Sequence, residues 1–308
     1  MKKVSLLLTL FAFIGVLNAQ NPHPVNSFFE PNGMVRLETQ ELALASDSLV
    51  TIQHRAEDIV WRRDIYRIID LRQKQNFQLY FPVMPDDPTY WSLYRLVLDA
   101  VSNGVTIYRP DQYVIKPTFS QERIIPKKEV PDYFMTGTWA DLDREDPDTY
   151  LLQYDSASQV LTPNFTRYEN YVRNQVKFLV QEVVFFNKHT SRLYKKIIAI
   201  APLQPDMASG DDENPSEFLR SSIKFWMLFD ELRPWLAKRY MIPTQNEQKR
   251  VTFDEFFQKR LFTSYIIGES NMYNRMILDY CKTEKEAKRE QARIESELLT
   301  FEQDLWEY

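Results

Sequence analysis

Two apolar runs separated by a polar turn form the clearest pattern in this chain. Residues 176–186 are rich in valine and phenylalanine, residues 193–201 carry three isoleucines, and Asn187 to Ser191 between them are polar. β-Branched and aromatic runs that flank a short polar turn are typical of a β-hairpin. The pattern therefore predicts a hairpin over residues 176–201, followed by a surface loop over 202–217.

A second strand is predicted near the beginning of the ordered chain. Residues 60–72 place Trp61, Ile65 and Ile69 on one parity, although Ile65, Ile68 and Ile69 would also fit one face of a helix. Alternation with a period of two favours a strand over a helix. Further short strands are predicted at 105–108 and 223–229.

Helical signals appear in four other regions. Residues 91–102 form an apolar stripe that ends before Gly104, and 230–240 form a short helix with Pro234 in its first turn or so. Thr252 and Glu255 have the spacing of a capping box. Residues 271–308 contain neither proline nor glycine, which predicts a long final helix.

The apolar stripe of the final helix is sparse. It nearly vanishes between Lys282 and Arg293, so these turns are either solvated on most faces or paired against another chain. The stripe consists of Met276, Tyr280, Ala287, Ile294, Leu298, Phe301 and Leu305.

The predicted fold class is α+β. It is a mixed domain that contains a β-hairpin and has a helical C-terminal third, 252–308, ending in a long helix.

The N-terminus has the layout of a secretory signal peptide. Lys2 and Lys3 precede an apolar stretch of about 12 residues, and Ala19 supplies the small residue before a cleavage site at Gln20. The apolar stretch is shorter than the ~20 residues of a membrane-spanning helix. We expect a signal peptide over 1–19, an extended N-terminal arm over 20–55 and one α+β domain over 56–308.

Composition narrows the classes of function. The chain has only 6 glycines, 3 histidines and 1 cysteine, and it contains no phosphate-binding loop, dinucleotide-binding turn or nucleophile elbow. Its formal net charge is −5, which disfavours nucleic acid as a partner. We therefore expect a periplasmic protein without a cofactor, a metal or a membrane span of its own, and not an enzyme.

One acidic segment is a candidate for chemistry. Residues 141–148 open like a calcium loop, but they lack the glycine and the bidentate glutamate that an EF-hand requires. A solvated turn is the favoured interpretation. The alternative function, a periplasmic peptidoglycan-binding module or hydrolase, would use Asp141 and Asp143 together with nearby aromatic residues.

Aromatic residues are abundant, with 20 Phe, 17 Tyr and 6 Trp. Packing in the core is the default role for such residues, but some are expected to exceed what one core needs and to anchor contacts with partners. The candidate interface residues are Trp226, Trp235, Trp306 and Tyr308.

Five segments together resemble one family. Collectively, and in this order, they are similar to the gliding-motility N proteins of Bacteroidetes, the GldN family, called PorN in species that do not glide. The similarity covers about residues 55–308. The segments are 60–72, 197–202, 233–237, 252–260 and 301–308.

The resemblance implies a periplasmic component of the type IX secretion system. Members of this family associate with an outer-membrane lipoprotein, GldK or PorK, and build a large ring that supports protein secretion and, in motile species, gliding. No catalytic residues follow from the resemblance. Removing residues 282–308 is expected to weaken assembly or partner binding, because a head-to-tail ring needs two different contact patches on each subunit. The extended N-terminal arm and the long C-terminal helix are the candidates for these patches.

Overall fold

The computed structural model is built around an antiparallel sheet of seven strands. The structure describes residues 34–38, 51–83, 90–111, 116–135, 146–205, 221–242, 251–273 and 275–305. The strands of this sheet are β3 (Ile59–Asp70), β4 (Ile107–Tyr108), β7 (Lys177–Asn187), β8 (Arg192–Pro205), β9 (Ser221–Ile223), β10 (Trp226–Leu228) and β11 (Tyr265–Glu269). Six of them follow the order β11-β3-β7-β8-β10-β4, and β9 pairs with β8 beside this path.

The predicted hairpin is confirmed as β7 and β8, the centre of the sheet. Val180 lies opposite Ile200, and the register shifts by one residue between Gln181 and Glu182. β8 is longer than predicted. It continues to Pro205, into the stretch predicted as a loop, because its last residues pair with β9.

The strand predicted over 60–72 is also confirmed. β3 pairs with β7 along most of its length and with β11 on its other side. β11 corrects the prediction that residues 252–308 are helical throughout. Its backbone runs close to Met276 at Gly268, where an added Cβ would overlap the methionine sulfur.

The local signals at two helix ends behave as predicted. Helix α2 (Leu93–Ser102) begins at the cap Ser92, and Gly104 follows its end with a φ of +108°, a conformation that favours glycine. Helix α5 (Phe253–Gln258) begins at Thr252, whose hydroxyl accepts a hydrogen bond from the backbone N–H of Glu255.

Two helices differ from their predicted bounds. Helix α4 (Phe229–Ala237) begins earlier than expected, so Pro234 lies in its second turn. The long helix does not begin at Asn271. A single turn, α6 (Ile277–Tyr280), is followed by a break and then by α7 (Glu284–Asp304).

The break before α7 has a local cause. The Thr283 hydroxyl accepts from the backbone N–H of Glu286, and the Glu286 carboxylate accepts from the backbone of Thr283 and of Lys282. This reciprocal arrangement is a capping box, which fixes the start of a helix. The two remaining α-helices in the part of the chain that the structure describes are α1 (Phe77–Tyr80) and α3 (Tyr168–Asn174).

Two smaller strand pairs accompany the main sheet. Within the predicted arm, β1 (Met34–Glu38) pairs with β2 (Thr51–Arg55), and β5 (Leu152–Asp155) pairs with β6 (Val160–Pro163). His54 of β2 is buried, and its ring contacts Phe185 and Tyr194 of the main sheet. The end of the predicted arm therefore packs against the domain.

The two faces of the sheet are covered differently. The larger core lies on the face that carries Val180, Ile200 and Met227, where α2, α4 and α5 pack. The opposite face carries Ile68, Leu179 and other buried side chains. In the part of the chain that the structure describes, no helix has the length and apolar character needed to cross a membrane.

Candidate interaction surface

Helix α7 is the clearest candidate for a contact surface, because it lies on the outside of the fold and buries only a narrow stripe. Ala287, Ile294 and Leu298 are at most 5% exposed and pack against Ile65 and Ile266 of the sheet. Such a stripe is narrower than the apolar face of an ordinary surface helix. Most of the helix circumference therefore remains at the surface.

Aromatic contacts attach the C-terminal half of α7. The ring of Phe301 lies 4.7 Å from the ring of Trp61, centre to centre, and 6.3 Å from that of Phe186. The Arg63 guanidinium stands 5.4 Å from the centre of the Trp61 ring. These contacts hold the last turns of α7 against β3 and β7.

Within the described residues, four ion pairs join α7 to neighbouring strands, and one of them links Arg293 to Glu269 of β11 at 3.5 Å. Arg63 pairs with Glu297 at 3.2 Å, Arg67 with Glu295 at 3.3 Å, and Lys195 with Glu302 at 2.9 Å. Each of these pairs has at least one side chain that is 39% exposed or more. Exposed ion pairs contribute about 0–1 kcal/mol each, so they orient the helix more than they hold it.

A buried carboxylate lies beneath these pairs. Glu182 of β7 is 1% exposed, accepts two hydrogen bonds from Arg260 at 2.7 and 2.8 Å, and pairs with the Arg67 Nε at 3.1 Å. Arg260 adopts a φ of +54°, which costs an ordinary residue about 1 kcal/mol or more. The double hydrogen bond to Glu182 offsets this cost and links the end of α5 to the sheet.

Carboxyl groups on α7 are held in their charged form by neighbouring arginines. The hydrogen bond from Arg293 lowers the pKa of Glu290 below its ordinary value. For Glu297, partial burial opposes ionisation, but hydrogen bonds from Arg63 and Arg293 prevail and lower its pKa as well. The acids beside the sheet therefore already have positively charged partners within the chain.

The side of α7 that points away from the sheet is called here the outer face. Its side chains are all exposed, Leu299 to 57%. Within the described ranges neither Lys285 nor Arg289 makes an ion pair. The outer face consists of Lys285, Arg289, Ala292, Ser296, Leu299 and Gln303.

The candidate interface residues fall in different places. Trp226 of β10 is 1% exposed. Its backbone lies opposite Tyr108 of β4, and its side chain packs in the core on the sheet face opposite the larger core. Packing in the core, the default interpretation, is thus its role within the chain. Trp235 on α4 is partly buried against the main core, and the Lys238 ammonium lies 4.8 Å from the centre of the Trp235 ring. Trp306 and Tyr308 lie outside the described residues, as do Ala19 and Gln20.

Most of the acidic segment also lies outside the described residues, including Asp141 and Asp143. Of its described members, Asp146 pairs with Arg167 at 2.7 Å and Asp148 accepts from Asn164 at 3.1 Å. No group of three potential metal-ligating side chains occurs in the portion that the structure describes. These two carboxylates act as local loop contacts.

The sequence carries the signal of the α7 capping box, but the prediction of one long helix over 271–308 does not include it. Thr283 is followed three residues later by Glu286, the same spacing as that of Thr252 and Glu255. Because residues 271–308 contain neither proline nor glycine, composition alone does not predict the break between α6 and α7. The contact of Glu182 with Arg67 and Arg260 has no local signal, because the three residues are far apart in the sequence.

Comparison with protein families identifies the chain. The model of the family described as gliding motility associated protein GldN matches residues 54–307, which is most of the chain. The chain belongs to the GldN family. No curated protein matches it.

Membership in the GldN family carries a coarse functional statement. The family is associated with gliding motility and with type IX secretion, and it is a structural secretion-system family rather than a known enzyme family. Other components of the secretion system are its expected partners. The matched range begins within β2 and includes all of the main sheet and α7.

Proposed function

We propose that this chain is a non-enzymatic periplasmic subunit of the type IX secretion system, which forms a ring with an outer-membrane lipoprotein of the GldK/PorK type. The observation that carries the proposal is the match to the GldN family over residues 54–307. In this role the protein supports secretion and, in motile species, gliding. It acts through its surfaces and not through a reaction.

The sequence supports a periplasmic location. The signal-peptide layout at 1–19 provides for export, with cleavage between Ala19 and Gln20. The mature chain then reaches the outer membrane through the lipoprotein partner, because the partner carries the lipid anchor. Residues 20–55 are proposed as an arm that contacts a neighbour, and 56–308 as the domain that it extends from.

The contacts of α7 change how this proposal is best tested. Deleting residues 282–308 would remove the partner of Ile65 and Ile266 and expose apolar surface of the sheet. A deletion would therefore confuse lost folding with lost assembly. Point substitutions on exposed positions avoid this difficulty.

The direct experiment co-expresses the full chain with its lipoprotein partner and measures particle size after gentle extraction. We expect large ring-shaped particles that contain both proteins. A monomer that neither binds the lipoprotein nor enlarges in its presence would contradict the proposal. Binding of such a monomer to purified peptidoglycan would instead favour the alternative, a peptidoglycan-binding module or hydrolase.

A further inference from the structure

A buried histidine attaches the end of the predicted arm to the main sheet. His54 belongs to β2, is 4% exposed, and lies against the hairpin of β7 and β8. Its ring centre is 5.7 Å from that of Phe185 and 4.7 Å from that of Tyr194. Beside it on β2, the side chain of Arg55 is exposed. Among the side chains of β2 that the structure describes, His54 is therefore the one that reaches the main sheet.

Asn187 determines which nitrogen of this histidine carries the proton. The Oδ1 atom of Asn187 accepts hydrogen bonds from the backbone N–H groups of His189 at 2.8 Å and Thr190 at 3.3 Å, in the turn of the hairpin. The amide nitrogen of Asn187 therefore faces His54 and contacts its Nδ1 atom. An amide NH2 group can only donate, so Nδ1 is the acceptor and the proton of the neutral ring is on Nε2.

The site has no acceptor for a second proton on this ring. A proton on Nδ1 would point at the NH2 group of Asn187, and Asn187 could turn its oxygen toward His54 only by giving up both hydrogen bonds to the turn. The Nε2 atom is buried and has no hydrogen-bond partner. The charged ring would thus have neither an acceptor nor water at either nitrogen, which is costly for a buried cation.

One charged group acts against this cost. Burial lowers the pKa of His54 below its ordinary value of 6.5, although the Asp58 carboxylate attracts a positive ring and opposes the shift. The other side chains on the elements beside His54 are uncharged or exposed. They are Val35 of β1, Phe185 and Asn187 of β7, Tyr194 of β8, and Lys188 and His189 of the turn.

The attachment of β2 therefore depends on pH. A released His54 has the ordinary pKa and binds a proton more readily than the docked ring, so a fall in pH favours release. The attachment is fully present well above pH 6.5 and is lost as the pH falls below this value toward the lower pKa of the docked ring. The release ends at Asp58, because its carbonyl accepts from the backbone N–H of Lys188 at 2.8 Å and β3 begins at Ile59.

We propose that His54 is a pH-sensitive latch, which holds β2 and the end of the arm on the β7–β8 hairpin when its ring is neutral and releases them when the ring is protonated. The consequence for assembly rests on the proposed function, in which the arm contacts a neighbouring subunit. Acidification then changes the contacts of the arm while the main sheet stays folded.

Histidine-selective NMR of the full chain measures the protonation. The sequence has 3 histidines, and the signal of His54 is the one that disappears in His54→Phe. We expect its midpoint to lie below pH 6.5. In Asn187→Asp the carboxylate keeps an oxygen for the turn and offers an acceptor to a proton on Nδ1, so the midpoint should rise by about one pH unit or more.

Hydrogen exchange followed by mass spectrometry measures the release. The exchange rates of residues 51–57, corrected for the intrinsic effect of pH, are compared at pH 5 and pH 7.5. In the parent we expect the corrected rate to be about fivefold higher or more at pH 5, which corresponds to a pKa difference of about one unit. The exposed control His189→Gln should behave in the same way.

Two variants should remove this pH difference for different reasons. Asn187→Asp should keep residues 51–57 protected at pH 5, because its carboxylate binds the protonated ring. His54→Phe fills the pocket with a ring that does not titrate. Urea unfolding midpoints show whether each variant is folded, and Asn187→Asp carries the comparison if His54→Phe is not.

Three results would overturn the proposal. The first is a His54 midpoint at or above pH 6.5 in the parent. The second is a corrected exchange rate of residues 51–57 that is the same at pH 5 and pH 7.5. The third is a pH difference in folded Asn187→Asp as large as that of the parent, which would show that the protonation of His54 is not the cause.

Failure here and failure of the proposed function give different results. If residues 51–57 exchange independently of pH but the chain still forms large particles with the lipoprotein, the latch is wrong and the functional proposal stands. If the latch operates but no particle forms, the latch stands and the ring proposal fails. If both are right, the yield of particles should differ between pH 5 and pH 7.5 in the parent and not in Asn187→Asp.

Discussion

Helices α5 and α7 are both attached by charged side chains, but in opposite environments. Arg233 of α4 donates to both carboxylate oxygens of Asp254 in α5, at 2.7 and 3.1 Å, and both side chains are completely buried. The ion pairs between α7 and the sheet lie at the surface, as Lys195 and Glu302 do at 31% and 39% exposure.

The difference shows what each kind of charge contributes. A buried pair must keep both members, because a single remaining charge has neither water nor a counter-charge to solvate it. An exposed pair leaves its members solvated when it breaks. Helix α5 is thus held by an ion pair whose loss of either member destabilises the fold, whereas α7 is held mainly by its narrow apolar stripe.

The largest expected effect follows from breaking the buried pair. Arg233→Met should lower the free energy of unfolding by about 3–5 kcal/mol, because it leaves the Asp254 carboxylate buried and alone. Urea unfolding measures the loss. The double variant Arg233→Met, Asp254→Asn should recover part of it.

The matched control is Arg173→Met, which removes an arginine that is 64% exposed in an ion pair with Glu169. It should change stability by no more than about 0.5 kcal/mol. Equal losses in Arg233→Met and Arg173→Met would show that burial does not distinguish the two pairs.

The next effect concerns the apolar stripe of α7. Ile294→Ala should cost about 2–5 kcal/mol, as for other fully buried isoleucines. Leu299→Ala, on the outer face of the same helix, should cost about 0.5 kcal/mol or less. Thermal unfolding of the two variants compares them, and a similar loss in both would contradict the assignment of inner and outer faces.

Lys224 offers a third environment, a cation held mainly by an aromatic residue. Its ammonium lies 3.3 Å from the Tyr171 hydroxyl and 4.6 Å from the centre of that ring, and burial lowers its pKa to about 7. The ordinary pKa of a lysine is 10.5, so above pH 7 the unfolded chain binds more protons than the folded chain. Stability should therefore rise with pH in this range.

The variant Lys224→Met tests this pH dependence. Between pH 7 and 9 the parent should gain about 2 kcal/mol relative to the variant, since each unit of pKa difference corresponds to ~1.4 kcal/mol. Urea unfolding at pH 7, 8 and 9 gives both curves, with Lys128→Met as the exposed control. Parallel curves for the parent and Lys224→Met would exclude the lowered pKa.

The smallest effect is expected at the surface pair. Lys195→Met should reduce stability by less than about 1 kcal/mol, and the difference should shrink further in 1 M salt. Chemical unfolding with urea at two salt concentrations measures it. A salt-independent loss of several kcal/mol would instead show that this pair behaves like the buried pair of Arg233 and Asp254.

Local signals allowed much of the fold to be predicted from the sequence. The hairpin β7–β8 follows from two apolar runs around a turn, and Gly104 and Thr252 mark helix ends through their own backbone and side-chain chemistry. These features depend on residues within a few positions of one another. The α+β class follows from the same local patterns.

The features that could not be predicted depend on distant residues. β11 is only five residues long and contains a glycine, and it becomes a strand because β3 provides a hydrogen-bonding edge. The burial of Trp226 likewise depends on its pairing with β4. The outer face of α7 could be identified only after the inner stripe had been located against the sheet.

The position of β11 has a consequence for the order of folding. Tyr265 pairs with Ile68, about 200 residues earlier in the chain. One edge of β3 therefore cannot be paired until most of the polypeptide, including β11, has been synthesised. Contacts between such distant segments form slowly, since a long loop must close before they bring any gain. We expect the β7–β8 hairpin to form first, β3 to pair with β7 across about 110 residues, and β11 with α7 to add last, so that a nascent chain exposes an unpaired β3 edge until its synthesis is nearly complete.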